Sequence, residues 1–176
     1  MKPLLILGIG NLILRDEGVG IHVVQKLEQT EVFPEGVDVL DGATGGYFLL
    51  NDVVGYEHVI MIDATLDNRP PGTIRVIRPR YSADYPALMS AHEFGLKNMI
   101  DAMLFLEKMP DMHLIVISVA EIQQMSLSLS PAVEAAIPEV IRKVKQIVKQ
   151  LIPDYYDQKR TVASYEMGAG SAEGTF

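Results

Sequence analysis

Residues 3–27 read PLLILGIGNLILRDEGVGIHVVQKL, and the change of rhythm within that stretch decides the fold. Leu4-Leu5-Ile6-Leu7 has no polar face, the pattern of a strand buried on both sides in a parallel sheet. Beyond Gly8-Ile9-Gly10-Asn11 the apolar positions become Val19, Val23, Val24 and Leu27, a helical spacing that predicts a helix over about 17–30. Two more unbroken apolar runs, 58–63 ending at Asp63 and 113–120, repeat the strand signal. Helical patterns lie between and beyond them. One covers 46–54 after Gly45-Gly46, and another starts at a Ser90-x-x-Glu93 capping box and continues through Leu96, Met99, Ile100, Met103 and Leu104. The last begins at Ser130 as N-cap with Pro131 in first position and is expected to kink at Pro138. Residues 37–41 and 73–78 read as further strands, the second at a sheet edge behind the turn Pro70-Pro71-Gly72.

Strands buried on both faces and alternating with helices predict an α/β three-layer sandwich, a mostly parallel twisted sheet with helices on both faces. At 176 residues, 48% of them hydrophobic, one core suffices. The reading is a single domain over 1–152 and a C-terminal tail over 153–176, flexible or docked on the surface. A net charge of −8 with no Lys or Arg run argues against nucleic acid and anionic lipid as partners. Cysteine is absent, which removes thiol nucleophiles, disulfides, iron–sulfur clusters and cysteine-based zinc sites. Met1-Lys2-Pro3 before a short apolar run is no signal peptide, and Gly, Asp and Asn interrupt every stretch that could approach a spanning helix. A soluble cytoplasmic protein is expected.

In such sheets ligands bind outside the carboxyl ends of the strands. The groups assigned there are Asp16 and Glu17 after the first strand, Asp41 after the second, Asp63 after the third, and Ser90 and His92 at a helix start. Several familiar chemistries drop out. The third glycine of a dinucleotide loop would be Ile13, the second histidine of a zincin helix would be Leu96, and neither a Gly-x-Ser-x-Gly elbow nor a phosphate-binding Gly-Lys-Ser/Thr loop is present. Two carboxylates and an imidazole remain: Glu17, Asp63 and His92. Together they suit a borderline divalent ion such as zinc or nickel and leave coordination positions open. At a helix start the imidazole is disfavoured as a cation, and the neutral form is the one that binds metal. Each residue also has a plainer reading: Glu17 as a helix-dipole partner, Asp63 as a hydrogen-bonded strand end, His92 as a surface side chain. His22, His58 and His113 read as structural or exposed.

Gly8 to Gly20, then Leu40-Asp41-Gly42-Ala43-Thr44, Ile62-Asp63-Ala64 and Ser90-Ala91-His92-Glu93-Phe94-Gly95-Leu96 together resemble the hydrogenase maturation endopeptidases over roughly residues 3–151. The resemblance implies a cytoplasmic protease that removes a C-terminal extension from a [NiFe] hydrogenase large-subunit precursor after nickel insertion. It implies that Glu17, Asp63 and His92 are the catalytic, metal-binding set, with nickel supplied by the precursor and zinc or cadmium able to take its place in vitro. Asp41, in the family's Asp-Gly motif, becomes a substrate-recognition candidate. Ala43 stands where glycine is frequent in the family, and 120–130 matches it more weakly. The competing readings are a metallopeptidase or amidohydrolase with its own resident ion, and a non-catalytic nickel-dependent maturation chaperone.

Overall fold

The computed structural model describes residues 1–85, 91–122 and 124–153, with residues 91–94 described by their backbone alone. The Ser90–Glu93 capping box and residues 154–176 of the tail therefore lie outside the described residues. The elements are β1 (Lys2–Gly8), α1 (Val19–Thr30), β2 (Val37–Asp41), α2 (Leu50–Val53), β3 (Tyr56–Thr65), β4 (Ile74–Ile77), α3 (Ala91–Phe105), β5 (Asp111–Ser118) and α4 (Pro131–Leu151). The five strands form one sheet in the order β2-β1-β3-β5-β4. All pairs are parallel except β4–β5, so the expected mostly parallel α/β sheet is what forms, with β4 at its edge.

The burial pattern explains that order. Leu4 to Gly8, Val59 to Thr65 and Met112 to Ser118 are buried throughout, which suits the three central strands β1, β3 and β5, while β2 and β4 are mostly half-buried and take the edges. From β1 the chain crosses to β2 on one side and then returns past β1 to β3 on the other. Right-handed crossovers then put α1 on one face and α2 and α3 on the opposite face. α4 packs beside α1 and against β5, completing the first layer. The reversal between β1 and β3 opens a crevice at their carboxyl ends.

Three expected boundaries move. Asp63 does not end β3: Ala64 and Thr65 follow it, because β5 continues alongside and pairs Val116 with Asp63 and Ser118 with Thr65. Residues 15–18 form a separate 3-10 turn, Glu17 N–H donating to Leu14 O at 3.1 Å, and the α-helix begins only at Val19. β3 and β5 begin two residues before the expected 58 and 113, at Tyr56 and Asp111, so His58 and His113 lie inside them. Ser130 holds the N-cap position of α4 without a side-chain capping bond; its backbone N–H donates instead to Asp16 Oδ1 at 2.6 Å. Among the described residues no helix is long and apolar enough to cross a membrane.

Candidate active site

The carboxyl edge is assembled by glycines that let backbones touch. A Cβ on Gly8 would lie 2.3 Å from Gly20 O, and one on Gly20 would lie 2.2 Å from Ile62 O and 2.4 Å from Ile9 O. The first turn of α1 therefore sits directly on the ends of β1 and β3, where no side chain fits. Gly10 has φ +141°, and a Cβ there would be 1.9 Å from Glu17 O. The loop after β1 folds back on itself at this point, and Asn11 N–H donates to Glu17 O at 3.3 Å. Three more backbone bonds join the loops: Ile9 N–H to Ile62 O at 2.9 Å, Gly10 N–H to Ala43 O at 3.0 Å, and Gly42 N–H to Gly8 O at 2.9 Å.

This frame presses the 3-10 turn Arg15–Gly18 against β3. Asp16 and Glu17 are each only 3% exposed, and Asp63 on the adjoining strand is fully buried. The two neighbouring acids of the turn divide their work. Asp16 binds the start of α4 by accepting the Ser130 N–H at 2.6 Å, and Glu17 is the neighbouring buried acid of the turn. Asp63 is held from two directions, with Ala64 N–H donating to Oδ1 at 2.8 Å and the Tyr85 hydroxyl donating to Oδ2 at 2.9 Å. Tyr85 is 3% exposed and was not singled out from the sequence; it sits in an aperiodic loop, 22 residues from Asp63.

His92 occupies the second position of α3. That helix approaches the edge through Gly95, where a Cβ would be 3.1 Å from Gly46 Cα and from Tyr47 N. The backbone thus brings the start of α3 onto the loop after β2, while the His92 side chain lies outside the described residues. Among the described residues no group of three His, Asp or Glu side chains is placed to hold a metal ion. What the structure gathers is Glu17 and Asp63 on adjoining buried elements.

Asp41 is in a different place. It is exposed at the end of β2, and its Oδ1 accepts the Ala43 N–H at 2.9 Å. In register it pairs with Gly8, which pairs on its other side with Ile62, so β1 separates Asp41 from β3 by two strand spacings, about 10 Å. Ala43 has φ +45°, the left-handed region where glycine is at ease, which gives a physical reason for the glycine common there in the proteins the sequence resembles.

A doubly wound α/β sandwich belongs to the class of folds that bind ligands at the switch point, the edge where Glu17 and Asp63 are buried. The chain belongs to the hydrogenase maturation protease family, whose match covers residues 21–147 and so includes Asp63 and His92 but begins just after Glu17. It is 33% identical to the hydrogenase 2 maturation protease of Escherichia coli over 84% of this chain and 91% of that protein. It is likewise 33% identical to the hydrogenase expression/formation protein HoxM of Azotobacter vinelandii, over 79% of this chain and 69% of that one. Among solved structures, a hydrogenase maturating endopeptidase of E. coli superposes with a TM-score of 0.76 at 32% identity, covering 84% of this chain and 93% of that chain. A [NiFe] hydrogenase maturation protease from Thermococcus kodakarensis superposes with a TM-score of 0.68 at 25% identity, covering 84% and 99%. The protein is a protease, and the non-catalytic chaperone reading is set aside.

Proposed function

We propose that this protease removes the C-terminal extension of a [NiFe] hydrogenase large-subunit precursor in the cytoplasm, and that it recognises the precursor by the nickel already inserted there. The observation that carries the reading is the burial of Glu17 and Asp63 on adjoining elements at the switch crevice. Two carboxylates withdrawn from water carry a desolvation cost that a shared cation offsets. An oxygen and imidazole donor set suits nickel, and would accept zinc or cadmium in vitro.

The nickel arrives as part of the substrate. Glu17, Asp63 and His92 complete its coordination, and that bridge fixes the precursor so that the scissile peptide lies against the crevice. Asp41, on the rim, shapes the approach of the extension. Bound there, the nickel would supply Lewis-acid polarisation, of the scissile carbonyl or of a bound water, while a carboxylate of the site takes the proton from the attacking water and returns it to the leaving amine. A precursor without nickel lacks the bridge and is left uncut.

Purified protein mixed with nickel-loaded and nickel-free precursor tests this by the mass of the product. Only the loaded precursor should be shortened; equal cleavage of both would defeat nickel recognition. A stoichiometric ion retained by the purified protein would favour the resident-metal peptidase instead.

A further inference from the structure

We propose that Tyr85 is a positioning residue of the site: its hydroxyl fixes the Asp63 carboxylate for coordination. The inference rests on the reading of Asp63 as a metal ligand. Tyr85 is 3% exposed and Asp63 is fully buried, so the bond of 2.9 Å between them is shielded from water. For packing alone, the ring would be enough. A buried hydroxyl costs stability unless it is bonded, and here it donates to Asp63 Oδ2, with Met61 Sδ, a weak acceptor, 3.5 Å away.

The geometry suits a carboxylate that must keep one orientation. Each Asp63 oxygen receives one fixed donor, Ala64 N–H at Oδ1 and the phenol at Oδ2. Together they set the rotation of the carboxylate plane, and a carboxylate oxygen accepts more than one partner, so a donor on each does not bar a cation. Outer partners of this kind orient a metal's ligands and tune their affinity.

The loop that delivers Tyr85 is itself braced. Asp84 Oδ2 accepts the N–H groups of Arg80 at 2.9 Å and Tyr81 at 3.1 Å, and Tyr85 N–H donates to Ser82 O at 3.2 Å. Tyr85 is thus the anchored end of the connection from β4 to α3, and His92 follows it in sequence at the start of that helix.

The test compares Tyr85→Phe, Asp63→Asn and Met61→Leu in the full chain. Cadmium affinity is read by calorimetry, nickel-loaded precursor cleavage by kcat and KM, and folding by thermal melting. Tyr85→Phe should melt close to wild type yet lose about 10- to 100-fold in cadmium affinity and in kcat. Met61→Leu should leave both readings unchanged. Wild-type cadmium affinity and kcat in Tyr85→Phe, beside a clear loss in Asp63→Asn, would overturn the role of Tyr85 alone. If Asp63→Asn itself binds cadmium and cleaves like wild type, the ligand reading fails and the role of Tyr85 falls with it. Equal losses in Met61→Leu and Tyr85→Phe would also overturn the proposal, since packing around the ring would then account for both.

Discussion

At the amino end of the sheet, Asp111 on β5 meets His58 on β3 and Arg78 just past β4; at the carboxyl end, Asp63 meets Tyr85 and the Ala64 N–H, with Glu17 buried on the adjoining turn. The inventories are alike, acids with histidine nearby, but the compensation differs. Asp111 accepts two bonds from Arg78, at 2.5 and 2.6 Å, and lies 3.4 Å from His58 Nδ1. Burial pushes the Asp111 carboxyl up, but the bonded, charged Arg78 outweighs it and holds the group below its ordinary value of 3.8. The amino end is thus a part-exposed cluster organised by Arg78, whereas Asp63 is fully buried and counts a hydroxyl and a backbone amide among its donors. Carboxylates and imidazoles are therefore not informative as residue types. What distinguishes a site is that its acids are sealed from water by a frame built to keep them there.

The largest expected difference between the ends is in catalysis. Asp63→Asn should abolish cleavage of loaded precursor while the protein still folds. Asp111→Asn should cleave at the wild-type rate and lose only about 0.2–1 kcal/mol of stability, as a part-exposed ion pair does. Loss of cleavage in Asp111→Asn would break the distinction between the two ends.

Next comes the backbone frame. Gly20→Ala would force a Cβ to 2.2 Å from Ile62 O, so urea melts should show destabilisation of about 1–3 kcal/mol or more. Gly55, just before β3 at the amino end, is the counterpart: a Cβ there meets only Asp52 O at 3.7 Å, and Gly55→Ala should change stability by no more than about 0.5 kcal/mol. Comparable losses in the two variants would mean that the carboxyl end is no more tightly built than the amino end.

The smallest effect is a pH dependence at the amino end. His113 is 8% exposed; burial, helped by Arg78, pushes its imidazole below the ordinary 6.5, although Asp111 opposes the shift. As pH falls past 6.5 the unfolded chain takes up this proton before the folded one, so stability is lost from there down to the folded value, at up to about 1.4 kcal/mol per pH unit. The Asp111 contribution has its own window: it is present above 3.8 and lost as pH falls through the lowered folded value. Urea melts of His113→Gln should show a shallower decline just below pH 6.5 than wild type, and an unchanged slope would remove His113 as its source.

Much of the sheet was legible because β1, β3 and β5 are continuous apolar runs and the edge strand β4 follows an unmistakable turn. Strand ends were less so. Asp63 read as a terminus because an acid usually leaves a buried strand, but the length of β3 is set by what β5 offers beside it, and no local pattern carries that. The same holds for the 3-10 turn at Glu17, which depends on the close approach of Gly10 and Gly18, and for Asp16 reaching the start of α4. Tyr85 illustrates the general limit: a loop residue without periodicity acquires its meaning only when folding brings it to a strand far off in sequence. That Glu17 and Asp63 lie at the carboxyl edge was nonetheless legible, since an acid after a buried strand or at a helix entrance has few other places to go.

The central claim is that Glu17, Asp63 and His92 share one cation. A crystal soaked in cadmium or zinc and read by anomalous scattering tests it most directly. The account predicts one strong peak at the carboxyl edge, within about 2.0–2.3 Å of an oxygen of each acid and a nitrogen of His92 for zinc and slightly farther for cadmium. A peak on His58 and Asp111 at the amino end, with none between Glu17 and Asp63, would contradict it.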